Sequence, residues 1–175
     1  MKKRILQVSV ILLPLILLAI FAYTTANPVV VDKERLSVTV NDKKIYAPAG
    51  WTTGYNDNIP GEHIEALVDD DGNMRVAIGT ISLDKEVTFR ELGPDYTQAI
   101  CEEILASDVE PINTPTLVNY DNYYRVEYQY NIENDLVYIN FCIPIDSNVI
   151  YEILEIKPNE QTGKLRMEML NAIIL

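Results

Sequence analysis

The chain has 175 residues, and 26 acidic residues against 14 basic ones give it a formal net charge of −12. All of the acidic residues follow Tyr23, together with only eleven of the basic ones, so this part of the chain carries a net charge of −15. This part of the chain lacks the excess of basic residues that nucleic-acid binding requires, and for the same reason it is poorly suited to bind anionic lipid directly. The acidic balance favours solubility, and it also suits a basic partner or divalent cations.

The first 26 residues are predicted to be a membrane anchor or signal segment. Ile5 to Tyr23 is an uncharged run of 19 residues that follows three basic residues at positions 2–4. Crossing a membrane takes about 20 apolar residues, whereas the apolar core of a signal peptide has about 7 to 15. We therefore expect a single-pass anchor in the cell membrane with the C-terminal domain extracytoplasmic, because the basic flank stays in the cytoplasm. The alternatives are secretion after cleavage near Ala26 and a buried core helix.

The rest of the chain is predicted to form a tether over 27–35 and one extracytoplasmic domain over 36–175, which is long enough to bury a core. Apolar and polar residues alternate from Leu36 to Val40, as in a half-buried strand, and Asn41-Asp42 then favours a turn. Further strands are predicted at 45–47, 62–68, 74–83, 123–131, 136–145 and 149–156. Loops are predicted at 52–61 and 108–115 because these segments are rich in turn-forming residues or proline. Asp71-Gly72 between two strands is a hairpin signal, and 146–148 is a second turn.

Two helices are predicted. The first begins at Thr88, which has Glu91 three residues later as in a capping box. Its apolar stripe has helical spacing and consists of Phe89, Leu92, Tyr96, Ile100 and Ile104. The second helix is predicted from Lys164 to Leu175, after a break at 158–163. Its inward residues are predicted to be Leu165, Met169, Leu170 and Ile173.

The predicted fold class is α+β, with an antiparallel β-sheet flanked by two helices and preceded by an N-terminal transmembrane helix. The phrase from Ile45 to Trp51, IYAPAGW, resembles the PsbP-like superfamily, which includes DcrB-like and LpqN-like cell-envelope proteins. The resemblance extends over Leu36 to Leu175 and implies a PsbP-like sandwich. It also implies an envelope accessory, assembly or binding role rather than an enzyme. Physically, Pro48 ends a strand, Gly50 permits a turn, and Trp51 is expected to be buried over the sheet edge.

No catalytic, cofactor or metal site is predicted. His63 is the only histidine, and it falls in a predicted strand, where a solvated side chain is the expected state. Asp69-Asp70-Asp71-Gly72 lacks the EF-hand spacing of acidic residues, so we interpret it as a hairpin turn. Glu102 and Glu103 lie off the helix stripe and are interpreted as solvated charges. The chain has no Gly-rich phosphate loop.

Tyrosine is over-represented, with 11 residues against three phenylalanines and one tryptophan. One interpretation is a sheet face that suits an apolar ring with a wet hydroxyl group. The other is a recognition surface, because tyrosine is enriched at interfaces. The residues of this possible partner surface are Tyr120, Tyr123, Tyr124, Tyr128 and Tyr130.

The function expected from the sequence is that of a non-enzymatic, membrane-anchored extracytoplasmic binding or accessory protein of a bacterial cell envelope, with a protein partner there. One alternative is an extracytoplasmic hydrolase or thiol enzyme that uses His63 with Cys101 or Cys142. Another is a carrier of a small apolar ligand, which needs a cavity of roughly 300 Å³ or more. The two cysteines are expected to be buried free thiols, with Cys142 on the strand face that holds Tyr138 and Asn140.

Overall fold

The computed structural model describes residues 30–56, 62–82, 88, 90, 98–99, 112–132 and 134–174. These residues form ten strands and a C-terminal helix, α1, at Glu160–Ile174. The strands are β1 Val30–Asp32, β2 Ser37–Val40, β3 Lys43–Tyr46, β4 Thr52–Asn56, β5 Glu62–Val68, β6 Met74–Ser82, β7 Thr116–Asn119, β8 Tyr123–Ile132, β9 Asp135–Pro144 and β10 Val149–Ile156.

Eight strands make one antiparallel sheet in the order β1-β4-β5-β6-β10-β9-β8-β7, and β2-β3 is a separate hairpin. The turns between consecutive strands follow the sequence signals. Asn41 and Asp42 both have positive φ, and Gly72 has φ +83 in the turn between β5 and β6. The two halves of the sheet meet where β6 pairs with β10, from Val76 opposite Glu155 to Ser82 opposite Val149.

The predicted fold class is wrong. The described chain is mostly antiparallel β-structure, an eight-stranded and a two-stranded sheet with the C-terminal helix, and not an α+β sheet flanked by two helices. Three strands account for much of the difference. β1 lies in the predicted tether, β4 lies in a predicted loop, and β7 was not predicted.

These three strands are short and lack apolar alternation, so their own sequence does not mark them as strands. They form because neighbouring strands supply a ladder. β4, for example, pairs with β1 on one side and with β5 on the other. The first predicted helix, 88–104, falls almost wholly outside the described residues, although Arg90, Gln98 and Ala99 are described and are helical. The predicted anchor at 1–26 lies entirely outside them. Within the described ranges, no helix is long and apolar enough to cross a membrane.

The large sheet buries side chains on both faces. On one face, which we call the α1 face, Leu67, Ile78 and Ile153 form a core with α1 and with the β2-β3 hairpin. The helix contributes Leu165, Met169, Leu170, Ala172 and Ile173, and the predicted inward set is thus confirmed. The opposite face is almost entirely apolar and buried. Its centre is the row of Ala66, Ala77, Leu154, Ile139 and Tyr128.

Helix α1 begins four residues earlier than predicted because its N-terminus is capped. The Asn159 side chain accepts hydrogen bonds from the backbone N–H groups of Gln161 and Thr162, both at 2.9 Å. The Thr162 hydroxyl group accepts one from the Asn159 N–H at 2.8 Å. This is the reciprocal arrangement of a capping box, with threonine in place of Glu or Gln. Gly163 lies inside the first turn and does not break the helix.

Trp51 is buried as predicted, with 8% of its surface exposed. The backbone N–H of Trp51 donates to the carbonyl group of Pro48 at 3.0 Å, and Gly50, which lies between them in the chain, has φ +86. These features define a turn that needs glycine at its third position. The chain after β3 is thereby directed back, so that the indole ring joins the core between the hairpin and the α1 face.

Candidate binding cleft

The predicted tyrosine surface is divided between the two faces of β8. Tyr124, Tyr128 and Tyr130 alternate onto the face opposite α1, where Tyr128 and Tyr130 are buried in the core. Tyr123 points to the α1 face, is also buried, and stacks on Tyr120 with ring centroids 4.2 Å apart. Tyr120 is exposed and Tyr124 is half-buried. The five residues therefore do not form one continuous exposed surface in the structure.

Burial also changes the acidity of these phenols. It raises the pKa of Tyr130, and the nearby Glu152 carboxylate adds to this effect. Burial likewise raises the pKa of Tyr123, and a side-chain hydrogen bond with Tyr120 raises it further. Both side chains are therefore neutral core residues at physiological pH.

His63 lies on β5 with 52% of its side chain exposed, and its Nε2 is 3.4 Å from Oε1 of Glu65. Glu65 is buried and bound by Arg35 and by the N–H of Thr39 at 2.6 Å. His63 and Cys142 fall in one row across the sheet, separated by Thr80 and Tyr151. Three strand spacings of about 4.8 Å place them roughly 14 Å apart. They do not form a nucleophile and base pair.

Cys142 is a fully buried free thiol on the α1 face. Burial raises the pKa of its thiol to about 12, although Arg125 acts in the opposite direction. Since the thiolate is the reactive form, this cysteine is chemically inert at neutral pH. Cys101, the other thiol of that alternative, lies outside the described residues.

The three aspartates of the β5-β6 turn bring carboxylate oxygens within 4.8 Å of one another. Asp69 is committed to the turn, because its side chain accepts from the Asn73 N–H at 2.8 Å and from Arg75 at 3.2 Å. Asp70 and Asp71 are exposed. The cluster thus performs the turn role expected from the sequence.

A polar cleft of about 140 Å³ opens beside α1, over β8 and β9 on the α1 face. This volume equals the liquid volume of about four or five water molecules. It is polar and smaller than the apolar cavity that a carrier of small apolar ligands needs. The cleft is lined by Asn113, Glu127, Tyr128, Gln129, Tyr138, Asn140 and Arg166.

Arg166 is held in place at the helix side of the cleft. Its Nε donates to Oε2 of Glu155 at 2.6 Å, and Oε1 of Glu155 accepts from the Thr162 hydroxyl group at 2.7 Å. Glu155 is buried, so this is a shielded, charge-assisted pair of the kind that fixes geometry. The guanidinium group also lies over the Tyr138 ring, 5.6 Å from its centroid. Since Nε is committed to Glu155, the terminal amino groups of Arg166 are the part available to the cleft.

Asn140 lies at the floor of the cleft with only 1% of its surface exposed. Neither its amide nitrogen nor its amide oxygen has a hydrogen-bond partner within the described part of the chain. Leaving a buried amide unpaired costs about 1 to 3 kcal/mol, and such groups are rare in folded proteins. Asn140 lines the polar cleft, but both of its amide atoms are almost completely covered, so a group in the cleft can pair with them only when the side chain turns toward it.

The rim of the cleft is contributed by β8 and the loop before β7. Glu127 is paired with Asn140 across the strands and forms an ion pair with Arg125 at 3.4 Å, too loosely aligned for a hydrogen bond. The Asn113 side chain accepts from the Gln129 N–H at 2.7 Å, which fixes this loop against β8. Glu127 and Arg125 balance each other in charge, as Glu155 and Arg166 do. The cleft is consequently polar and close to neutral.

The cleft could not be predicted from the sequence. The predicted position of Asn140, on the same strand face as Tyr138 and Cys142, is confirmed by the register. The available signal was an asparagine inside a strand that is otherwise apolar, from Leu136 to Ile145. The ion pair between Arg166 and Glu155 could not be predicted from the sequence, because it depends on how α1 packs against β10.

Neither the protein-family models nor the curated proteins contain a match to this chain.

Proposed function

We propose that the protein is a non-enzymatic, membrane-tethered extracytoplasmic binding or accessory protein of a bacterial-type cell envelope. The observation that carries the binding role is Asn140, a buried amide in a polar cleft that finds no hydrogen-bond partner among the described residues and lies beside an arginine that is already positioned. A group that is unsatisfied in the folded chain gains most when a ligand supplies its hydrogen bonds.

The N-terminal sequence supports the tether. The uncharged run ends at Tyr23, and β1 begins at Val30, so six residues separate them. Six extended residues reach at most about 20 Å. The folded domain would then stay close to the membrane surface, where an accessory protein acts on envelope partners. The likeness of the Ile45–Trp51 motif to PsbP-like envelope proteins supports the same proposal.

The geometry gives less support to the two alternatives. The distance between His63 and Cys142 and the raised pKa of the thiol both argue against a thiol enzyme built on that pair. The polarity and small volume of the cleft argue against apolar cargo there.

The test is site-specific photo-crosslinking of the full chain in intact cells. A photoreactive phenylalanine analogue replaces Glu127, whose side chain is 40% exposed at the cleft rim, or Tyr46, which is 67% exposed and does not line the cleft. We expect one adduct of defined mass from position 127 and none from position 46, and we expect Asn140→Leu to abolish it. Equal labelling from both positions, or an adduct that persists in Asn140→Leu, contradicts a binding role for the cleft.

A further inference from the structure

We propose that the cleft binds a primary carboxamide group, with Asn140 as its hydrogen-bonding partner and Arg166 as a second donor. This inference rests on the proposed binding function and names the chemistry of the ligand.

The Asn140 side chain can both donate and accept hydrogen bonds. It offers a carbonyl acceptor and an amino group with two donors, side by side in one plane. Neither group has a partner in the part of the chain that the structure describes and only 1% of the residue is exposed, so a suitable ligand must present a donor and an acceptor together. A carboxamide has this arrangement, and two such groups pair through two hydrogen bonds.

The cleft favours a neutral group over ions of either sign. Its described charges are paired, Arg166 with Glu155 and Arg125 with Glu127, so they offer no net charge that attracts an ion. A carboxylate also has no donor for the Asn140 oxygen, and an ammonium group has no acceptor for the Asn140 amino group. A neutral ligand with both a donor and an acceptor meets both needs.

The volume sets the size of the group that enters. Room for four or five water molecules corresponds to about as many non-hydrogen atoms. Acetamide has four, as does the end of an asparagine or glutamine side chain. The carboxamide can therefore belong to a small free amide or to a side chain of a protein partner, and the experiment separates these sources.

The experiment is an NMR titration of the full-length protein in detergent micelles, observing the Asn140 side-chain amide and the Arg166 Nε–H. The probes are acetamide, acetate, acetone and glycerol, which differ in charge and in donor and acceptor pattern. We expect saturable shifts with acetamide, with a dissociation constant on the order of millimolar for so small a ligand. Binding of acetate, acetone and glycerol should be at least tenfold weaker.

The same titration of Asn140→Leu, followed at Arg166 Nε–H, should show at least a tenfold loss of acetamide affinity. N-acetylglutamine N-methylamide, whose only primary carboxamide is the glutamine side chain, is the second arm. Binding tighter than that of acetamide indicates a protein side chain as the source, and weaker binding indicates a small free amide. Glycerol or acetate binding as well as acetamide, or unchanged affinity in Asn140→Leu, overturns the proposal.

The two experiments together show whether the carboxamide assignment alone is wrong or the proposed binding function is wrong as well. If acetamide does not bind while the crosslink at position 127 still forms and still requires Asn140, the carboxamide assignment is wrong and the binding function stands. If neither is observed, both fall. Should Asn140→Leu not fold, the comparison of the four probes on the unaltered protein still decides the ligand class.

Discussion

Asn140 and Thr162 are both buried polar residues on the α1 side of the sheet, and they differ in whether their hydrogen bonds are made. The Thr162 hydroxyl group donates to Glu155 and accepts from the Asn159 N–H. The Asn140 amide makes neither kind of bond within the described residues. The difference gives a matched pair of substitutions with opposite expected effects on stability.

Asn140→Leu should raise the free energy of unfolding by about 1 to 2 kcal/mol, because an unpaired amide is replaced by an apolar group of similar size. Thr162→Val should lower it by about 1 to 3 kcal/mol, because the shape is kept while a bond to a buried carboxylate is lost. Urea unfolding of the two variants measures both. A loss of more than 1 kcal/mol in Asn140→Leu would mean that the amide is hydrogen-bonded in the folded protein.

Asp69 gives a prediction on pH. Burial raises the pKa of its carboxyl group, but the hydrogen bonds from Asn73 and Arg75 outweigh this and leave it below the ordinary value of 3.8. A carboxyl group with a lowered folded-state pKa stabilises the protein above its unfolded-state pKa. That contribution disappears as the pH falls through the folded-state value.

At pH 7, Asp69→Ala should therefore lower the free energy of unfolding by about 1 to 3 kcal/mol. The difference from the unaltered protein should shrink as the pH is lowered below 3.8. Asp70→Ala, a change at the exposed neighbour, is the control and should stay within about 0.5 kcal/mol at both pH values. A difference between Asp69→Ala and the unaltered protein that does not depend on pH would contradict the assigned role of the carboxylate.

At the scale of elements, sequence patterns located the long strands and the inward side of α1, and they missed the short edge strands. β8 and β10 are rich in apolar residues at strand spacing and β9 is a nearly continuous apolar run, and the predicted bounds of all three differ from the structure by one residue or less at each end. β4 reads as a loop because Thr52 to Asn56 has no apolar alternation. Its buried members are small or polar, Thr53, Gly54 and Asn56, and only the neighbouring strands make them strand residues.

The alternation along β9 also decides what Cys142 contacts. Cys142 faces α1, while Val137, Ile139, Phe141 and Ile143 face the other way. We expect the apolar stripe of the helix predicted at 88–104 to pack on that other face, which would keep Cys101 away from Cys142. Alkylation of the denatured, unreduced full chain, followed by intact-mass measurement, should then add two alkyl groups.

The reduced and denatured protein is the control for complete alkylation and should give the same mass. If the unreduced sample takes up no alkyl group while the reduced one takes up two, the cysteines are bridged and the expectation is wrong.

For the molecule as a whole, we predict that the N-terminal segment holds the acidic domain at the membrane. The full-length protein should remain in the membrane pellet after a carbonate wash, and protease added outside intact cells should degrade the chain from Asn27 onward. Leu13→Arg should weaken membrane retention, because a charge at the centre of a span costs about 2.5 to 3.5 kcal/mol on insertion scales. Leu13→Ala serves as the size control. Recovery of a protein beginning at Asn27 from the medium would show a cleaved signal instead.

Features that depend only on neighbouring residues could be predicted without coordinates. These are the apolar N-terminal run, the acidic balance, the long strands with their turns, and the burial of Trp51 after Pro48-Ala49-Gly50. Each depends on a local period, a turn residue or a sum of charges, all of which are visible without coordinates.

The tertiary structure alone decided the eight-strand order, the strand character of β1, β4 and β7, and the cleft. The pairing of β6 with β10 joins segments about 70 residues apart. Helix α1 then packs on β10 so that Arg166 reaches Glu155 and lines the same cleft as Asn140. Such contacts depend on register and packing between distant segments. The same asparagine that looks like an irregularity in an apolar strand therefore comes to line a polar cleft only when the sheet and the helix are assembled.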